Sequence, residues 1–148
     1  MNTPSAALFR TVSRKDYLQF GSGDAFEPQR VAQFMDLNRS DVAKVSGVAL
    51  SSVRFDKNIP KDVLERFKEI ANICGLVAQF FGGDVAKTST WFKTKNPMLG
   101  NLAPRDMIRF GRYQKLLRYV IEALEENSAV STGRGAQGPG RSASAQSA

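Results

Sequence analysis

The chain has 148 residues, of which 42% are hydrophobic and 24% charged, so it is long enough to bury a core without disulfides or a structural metal. It contains no His and a single Cys, which excludes zinc sites of imidazole and thiolate within one chain as well as Ser-His or Cys-His catalysis. Lys and Arg number 21 against 14 Asp and Glu, and this formal charge of +7 favours a polyanion or an acidic protein surface as the partner.

These exclusions lead us to expect no enzyme activity, no metal and no cofactor. The sequence has no run of about 18 apolar residues that would span a membrane. Its N-terminal stretch lacks the uninterrupted apolar region of a secretory signal. A lone Cys also fits a reducing compartment. We therefore expect a cytoplasmic protein that does not bind a membrane.

The two ends of the chain differ in composition from its middle. Residues 1–26 are predicted to be a partly disordered extension, which a Gly-Ser-Gly-Asp run at 21–24 separates from the helical region after it. Four large apolar side chains in this extension can still dock on a core: Phe9, Tyr17, Leu18 and Phe20. Residues 128–148 are almost entirely Gly, Ser, Ala, Pro and Gln, which cannot bury enough surface to offset their ordering entropy. They are predicted to form a disordered tail.

Between residues 27 and 127 the apolar side chains recur at spacings of three and four, which predicts an all-α fold. The clearest stripe covers residues 60–81, opened by Pro60 and followed by two glycines, and it predicts one long helix. Cys74 lies in this stripe, so we expect a buried structural thiol. A second amphipathic helix is predicted over residues 112–126.

Residues 39–58 have the spacing of a helix-turn-helix. Ala43 is small where two helices would approach closely, Gly47 can adopt the left-handed turn conformation, and Val48 and Val53 would fill the wedge between the helices. Ser40 is the expected N-cap of the first helix. The second helix is predicted over residues 49–55.

In a helix-turn-helix the exposed start of the second helix enters the major groove of DNA. Short hydroxyls and an Arg suit base-edge contacts there, and neighbouring cations can neutralise phosphates. The candidate DNA-binding residues are Arg39, Lys44, Leu50, Ser51, Ser52, Arg54, Lys57 and Asn58. Two alternatives stay open, because any small helical domain contains a helix, a glycine turn and another helix, and because an apolar second helix can serve a dimer interface instead.

The second half contains a sequence of turn signals. Asn96 and Pro97 end a helix, Leu99 returns to the core, and Gly100 permits a positive φ. Pro104 sets the first turn of a short helix, and Gly111 breaks that helix before the last one begins. These residues can equally do no more than shape a connector between helices.

This ordered motif resembles the toxin-binding domain of the Xre/MbcA/ParS antitoxins. That domain carries a Trp, an Asn-Pro-x-Leu-Gly turn, a Pro that begins a short helix, and a Gly-containing break before a final amphipathic helix. The corresponding residues are Trp91, Asn96-Pro97-Met98-Leu99-Gly100, Pro104 to Ile108, and Phe110 to Gln114. The resemblance covers residues 31–126 and includes an Xre-like helix-turn-helix ahead of the long helix. It implies a helix-turn-helix domain with a long connecting helix over residues 27–82 and a small helical toxin-binding domain over residues 83–127.

The function implied by this resemblance is that of a type II antitoxin. Such a protein binds and silences a cognate toxin, commonly a RES-domain enzyme that consumes NAD, and in many members represses its own operon as a homodimer bound to operator DNA. The residues that would maintain the toxin-binding scaffold are Trp91, Asn96, Pro97, Leu99, Gly100 and Pro104. Direct contact with the toxin would come from exposed neighbours, namely Lys93, Lys95, Arg105, Arg109, Arg112 and Lys115.

The chain departs from the family pattern at three points. Asn101 stands where a second Gly is frequent, Ala103 replaces the Thr or Ser that usually caps the following helix, and the tail after Asn127 runs well past the domain. In members of the family the C-terminal end of the antitoxin can help to cover the active site of the toxin. This chain differs there, because its long extension follows the segment that would do so.

Two other functions compete with this one. The first is a transcriptional regulator that uses the same helix-turn-helix without a toxin partner, its second half serving only for dimerisation. The second is an enzyme that uses helix carboxylates, for which the candidates are Glu65, Glu69, Glu122, Glu125 and Glu126. These carboxylates are spaced opposite the apolar faces of their helices, so we expect them to be solvated rather than catalytic.

Overall fold

The computed structural model describes residues 15–129, which form an all-α fold as predicted. The α-helices are α1 (Pro28–Met35), α2 (Arg39–Ser46), α3 (Lys61–Phe80), α4 (Val85–Lys93), α5 (Pro104–Arg109) and α6 (Tyr113–Ala129). Short 3-10 turns occupy Gly23–Ala25, Leu50–Ser52 and Pro97–Leu99. Within residues 15–129 no helix is long and apolar enough to cross a membrane. Phe9 and most of the tail predicted from residue 128 lie outside the described residues, and helix α6 continues to Ala129.

Helix α3 is the central element, and it packs against α1, α2, α4 and α6. Its predicted apolar stripe is buried, with Phe67, Ile70 and Val77 completely inside the core. Pro60 is the N-cap, one residue before the helix begins and not its first residue as predicted, and its φ of −61° suits the entry to a helix. Cys74 is buried as predicted, and burial raises the pKa of its thiol.

The hydrophobic core continues across both predicted segments, from Phe20 to Leu124. An aromatic series connects its parts: the ring of Phe34 on α1 meets Phe20 edge-on at 5.8 Å and Phe92 on α4 at 6.1 Å. The ring of Trp91 lies edge-on to Phe92 at 5.1 Å. Such T-shaped contacts add to the burial of large apolar area. Residues 15–26 therefore pack on the fold through Phe20.

The prediction of a second helix over residues 49–55, which would complete the helix-turn-helix, is wrong. Only Leu50–Ser52 makes a turn, of the 3-10 type, and Val53 is extended with φ −74° and ψ 118°. The side chain of Asp56 accepts the backbone N–H of Asn58 at 2.9 Å, which forms a local turn in place of a helix. Pro60 then disfavours the helical conformation of the residue before it.

The other details of this segment are partly as predicted. Gly47 ends α2 in the left-handed conformation with φ 71°, and Ala43 and Val53 are buried. The N-cap of α2, however, is Asn38 and not Ser40. Asn38 Oδ1 accepts the backbone N–H of Asp41 at 2.8 Å, and Asp41 Oδ2 accepts that of Asn38 at 3.1 Å, so the two form a capping box.

Candidate functional site

The turn after helix α4 is a closed loop held by Asn96, and we call residues 96–102 the NPxLG loop. Asn96 Oδ1 accepts the backbone N–H of Met98 at 2.9 Å, and the buried Asn96 carbonyl accepts those of Leu99 and Asn101 at 2.9 and 3.0 Å. The backbone N–H of Asn96 donates to the carbonyl of Leu102 at 3.0 Å and closes the loop. Asn suits this position because its side chain mimics a backbone turn.

Two adjacent residues of the NPxLG loop have left-handed backbone conformations. Gly100 and Asn101 both have φ 67°, and Gly is the residue that adopts this region at no steric cost. Asn is among the few other residues that visit it routinely. Position 101 therefore favours Gly or Asn for a physical reason. The tight reversal turns Leu99 into the core, with 8% of its surface exposed.

A groove of about 350 Å³ lies between the NPxLG loop and helix α6, and we call it the loop–helix groove. It is lined by Met98, Leu99, Gly100, Leu102, Met107, Arg112, Lys115, Arg118, Tyr119 and Glu122. Leu99 and Met107 are buried beneath it, whereas Met98 is 53% exposed. An exposed Met beside a concave apolar surface is typical of adaptable protein-binding sites.

The rim of the loop–helix groove carries three cations and one carboxylate. Arg112, Lys115 and Arg118 are exposed along the start of α6. Among residues 15–129 none of the three forms an ion pair. Their charges are therefore available to carboxylates of another molecule, and Glu122 is the single acidic side chain in the lining.

Arg105 and Arg109 are half-buried, contrary to the exposure predicted for them. Arg105 donates from Nε and Nη2 to the carbonyls of Met35 and Asp36 at the end of α1. These contacts with distant parts of the chain could not be seen in the local spacing. Arg105 thus fastens α5 to α1 and is not free for a partner.

Arg109 makes the corresponding contact with helix α2. Its Nη1 donates to Asp106 Oδ1 at 2.9 Å and its Nε to Asp41 Oδ1 at 3.2 Å. The hydrogen bond to Asp106, followed by that to Asp41, raises the pKa of Arg109. Both residues predicted to contact the toxin from α5 are therefore engaged within the chain.

The remaining predicted toxin-binding residues lie at different places. The loop–helix groove contains Leu99, Gly100, Arg112 and Lys115. Lys93 and Lys95 are exposed at the end of α4, and Pro104 is buried at the start of α5. The predicted toxin-binding residues that do not line the groove are Trp91, Lys93, Lys95, Asn96, Pro97, Pro104, Arg105 and Arg109.

Sequence reasoning missed six of the lining residues: Met98, Leu102, Met107, Arg118, Tyr119 and Glu122. The helical spacing from Lys115 to Arg118 and Glu122 was the available signal, since residues three and four apart share a helix face. Nothing in the local pattern indicated that Leu102 and Met107 would meet this face.

The predicted DNA-binding residues are on the surface, but no second helix carries them: Arg39 and Lys44 lie on α2, and the others lie in the segment after it. Arg54 donates to both oxygens of Asp56 from one edge of its guanidinium, Nε to Oδ1 at 3.0 Å and Nη2 to Oδ2 at 2.7 Å. This pairing raises the pKa of Arg54 and lowers that of Asp56. The edge of the guanidinium formed by Nε and Nη2 is thus already paired within the chain. Arg39 Nη2 donates to the carbonyl of Leu50 at 3.1 Å.

The other members of the predicted DNA-binding set are all exposed: Lys44, Leu50, Ser51, Ser52, Lys57 and Asn58. Leu50 has 51% of its surface exposed.

Comparisons with protein-family models, with curated proteins and with solved structures find no match to this chain.

Proposed function

We propose that this chain is an antitoxin that binds a cognate toxin protein, of the RES-domain type, through the loop–helix groove in the cytoplasm. The observation that carries the proposal is the groove itself, in which an apolar floor and the exposed Met98 adjoin three cations that form no ion pair among residues 15–129. The order of the motif from Trp91 to Gly111 supports it, because Met98, Leu99, Gly100 and Met107 of that motif line the groove.

Neutralisation in this proposal is a binding event without chemistry. An apolar side chain of the toxin would lie against Met98 and Leu102, while its carboxylates would meet Arg112, Lys115 and Arg118. The bound antitoxin excludes substrate by mass action. Because exposed charges steer the encounter, we expect association to be faster at low salt.

Repression of its own operon stays a prediction, as does the alternative of a regulator without a toxin. Either role would need Lys44, Lys57 and their neighbours to bind DNA without a recognition helix, since residues 49–55 contain only one 3-10 turn. A gel shift with the chain's own promoter tests both roles. Because residues 49–55 form no recognition helix, protein binding is the leading proposal and DNA binding the second.

The test is co-expression with the open reading frame beside its gene, comparing two exposed apolar residues of equal exposure. Met98→Asp puts a charge into the loop–helix groove and should abolish both rescue of growth and co-purification. Leu50→Asp, on the other surface, should leave both unchanged. Growth arrest that the unaltered chain does not relieve, or equal behaviour of the two variants, would contradict the proposal. Thermal unfolding of the purified variants checks that both are folded.

A further inference from the structure

The exposed side of helix α3 borders two adjacent cavities. The first, of about 290 Å³, lies between α3 and residues 15–26, and Tyr17, Leu18 and Phe26 are among its apolar walls. The second, of about 590 Å³, lies beside the first half of α3 and is lined by polar and charged side chains. Lys68 lines both, so the two cavities adjoin each other. We call them the apolar cavity and the acidic cavity.

The acidic cavity holds more hydrogen-bonding groups than the described chain uses. Of its three carboxylates one is paired, since Arg66 Nε donates to Glu69 Oε1 at 2.9 Å. Asp62 and Glu65 are exposed and form no ion pair within the described chain. Ser46 also lines this cavity, and its buried Oγ has no hydrogen-bond partner in that part of the molecule. Such a set of unused oxygens suits a guanidinium, which presents five N–H donors.

The surroundings of the acidic cavity also favour a cation. Helix α2 ends at Ser46, and the C-terminal end of a helix is partially negative. Arg66 does not fill the cavity, because its guanidinium already contacts Glu69, the carbonyl of Val45 and the ring of Tyr113. The acidic cavity is therefore open to a cation from outside the described residues.

The segment before Lys15 supplies both a cation and a large apolar group. Residues 1–14 contain Arg10 and Arg14 and no Asp or Glu, and Phe9 directly precedes Arg10. Lys15 itself lines the apolar cavity, so this segment joins the described fold at that cavity. At full extension six residues span about 20 Å, so Phe9 and Arg10 can reach both cavities.

We propose that the N-terminal segment, residues 1–14, lies along α3 and places the guanidinium of Arg10 in the acidic cavity. Arg10 donates there to the carboxylates of Asp62 and Glu65, and its charge also meets the partially negative end of α2. The ring of Phe9 lies in the adjoining apolar cavity. The acidic cavity is thus a guanidinium site that the same chain fills. It shares no residue with the loop–helix groove, so this inference does not depend on toxin binding.

The tail after Ala129 is a poorer occupant, although it too is basic. The guanidinium carbon of Arg66 lies 4.3 Å from the ring centre of Tyr113, so helix α6 begins beside the acidic cavity. The 17 residues of α6 carry the chain about 25 Å from this point before the tail begins. The N-terminal segment, in contrast, joins the fold at the adjoining cavity. Charge complementarity and the place of attachment therefore favour the same occupant.

Trypsin tests the guanidinium site in the full chain, because this protease must take an Arg side chain into its own pocket before it cleaves after it. We expect slow cleavage after Arg10 in the unaltered chain. Asp62→Asn with Glu65→Gln removes the two unpaired carboxylates and should speed this cleavage about fivefold or more. Glu125→Gln with Glu126→Gln makes the same change of charge at exposed positions of α6 and should leave the rate unchanged.

Two controls belong to this digestion. Cleavage after Arg141 in the same samples measures the activity of the protease, and far-UV circular dichroism checks that each variant is folded. Cleavage after Arg10 as fast as that after Arg141 in the unaltered chain would overturn the proposal. A faster cleavage in both double variants, or in neither, would overturn it as well.

Phe9→Ala tests the apolar cavity separately. Loss of the buried ring should lower the midpoint of thermal unfolding of the full chain by about 4 °C or more. Leu50→Ala removes an apolar side chain that is 51% exposed, and should shift the midpoint by less than about 1 °C. Equal midpoints for Phe9→Ala and the unaltered chain would show that the ring does not occupy the cavity.

Discussion

Two Arg-Asp pairs with similar distances have different surroundings. The side chain of Asp41 is 10% exposed, and its two oxygens accept from Arg109 and from the backbone N–H of Asn38. Arg109 is 32% exposed and links α5 to the start of α2. Arg54 and Asp56 are 52% and 53% exposed, and both lie in one surface turn. Because water solvates exposed charges, the Arg109–Asp41 ion pair should contribute to the stability of the fold, and the Arg54–Asp56 ion pair hardly at all.

Removing each cation separates these two cases. We expect Arg109→Ala to lower the free energy of unfolding by about 1 kcal/mol, because a nearly buried carboxylate loses a charged donor that is itself one-third exposed. Arg54→Ala should leave the midpoint of urea unfolding unchanged within error. Equal effects of the two substitutions would contradict the role given to Arg109. Far-UV circular dichroism during urea titration measures both.

At the scale of elements, the sequence predicted the two long helices better than the short segment after α2. The stripes of α3 and α6 were long enough to fix the period, and their observed starts, Lys61 and Tyr113, differ by one residue from the predictions. Residues 49–55 were too few to distinguish a two-turn helix from a loop with one inward side chain. Val53 is buried in either case. The NPxLG loop was predicted as a turn, whereas the groove beside it depends on distant packing.

Helix α5 begins without a capping side chain, because its N-cap residue is Ala103. Ala103 is the N-cap and makes no side-chain hydrogen bond, so no side-chain oxygen caps the first turn of α5, although the backbone N–H of Asp106 donates to the carbonyl of Ala103 at 2.9 Å. Ala103→Ser should raise the free energy of unfolding by about 1 kcal/mol, because its hydroxyl can accept from the backbone N–H of Arg105 or Asp106. The urea midpoint should rise accordingly.

The same substitution elsewhere serves as the control for this capping effect. Ala86 is exposed in the first turns of α4, where Asp84 already provides the cap by accepting the backbone N–H of Lys87 at 3.0 Å. Ala86→Ser should lower stability by about 0.5 kcal/mol, since Ser is a poorer helix former than Ala. A loss at both positions would show that position 103 has no room for the hydroxyl.

At the scale of the whole molecule, the core does not divide where the sequence motifs do. The motifs suggested a boundary between residues 82 and 83, since each half resembles its own part of a family pattern. The described core crosses that point: Phe34 of α1 contacts Phe92 of α4, and Arg105 of α5 holds the end of α1. A sequence motif reflects the chemistry of a local turn, whereas burial depends on contacts between residues far apart in sequence. The motifs therefore cannot show where the core divides.

A continuous core should unfold as one cooperative unit, and the single Trp provides a probe of its second half. Met35 is fully buried at the end of α1, and Met35→Ala should cost about 2–5 kcal/mol through lost burial and a cavity. Because Trp91 belongs to the same unit, its fluorescence midpoint in urea should fall together with the far-UV circular dichroism midpoint. Val85→Ala, at an exposed position of the second half, should shift neither. If Met35→Ala splits the two transitions and leaves that of Trp91 in place, the halves are independent domains, and a partner bound to the loop–helix groove would have no means of affecting residues 39–58.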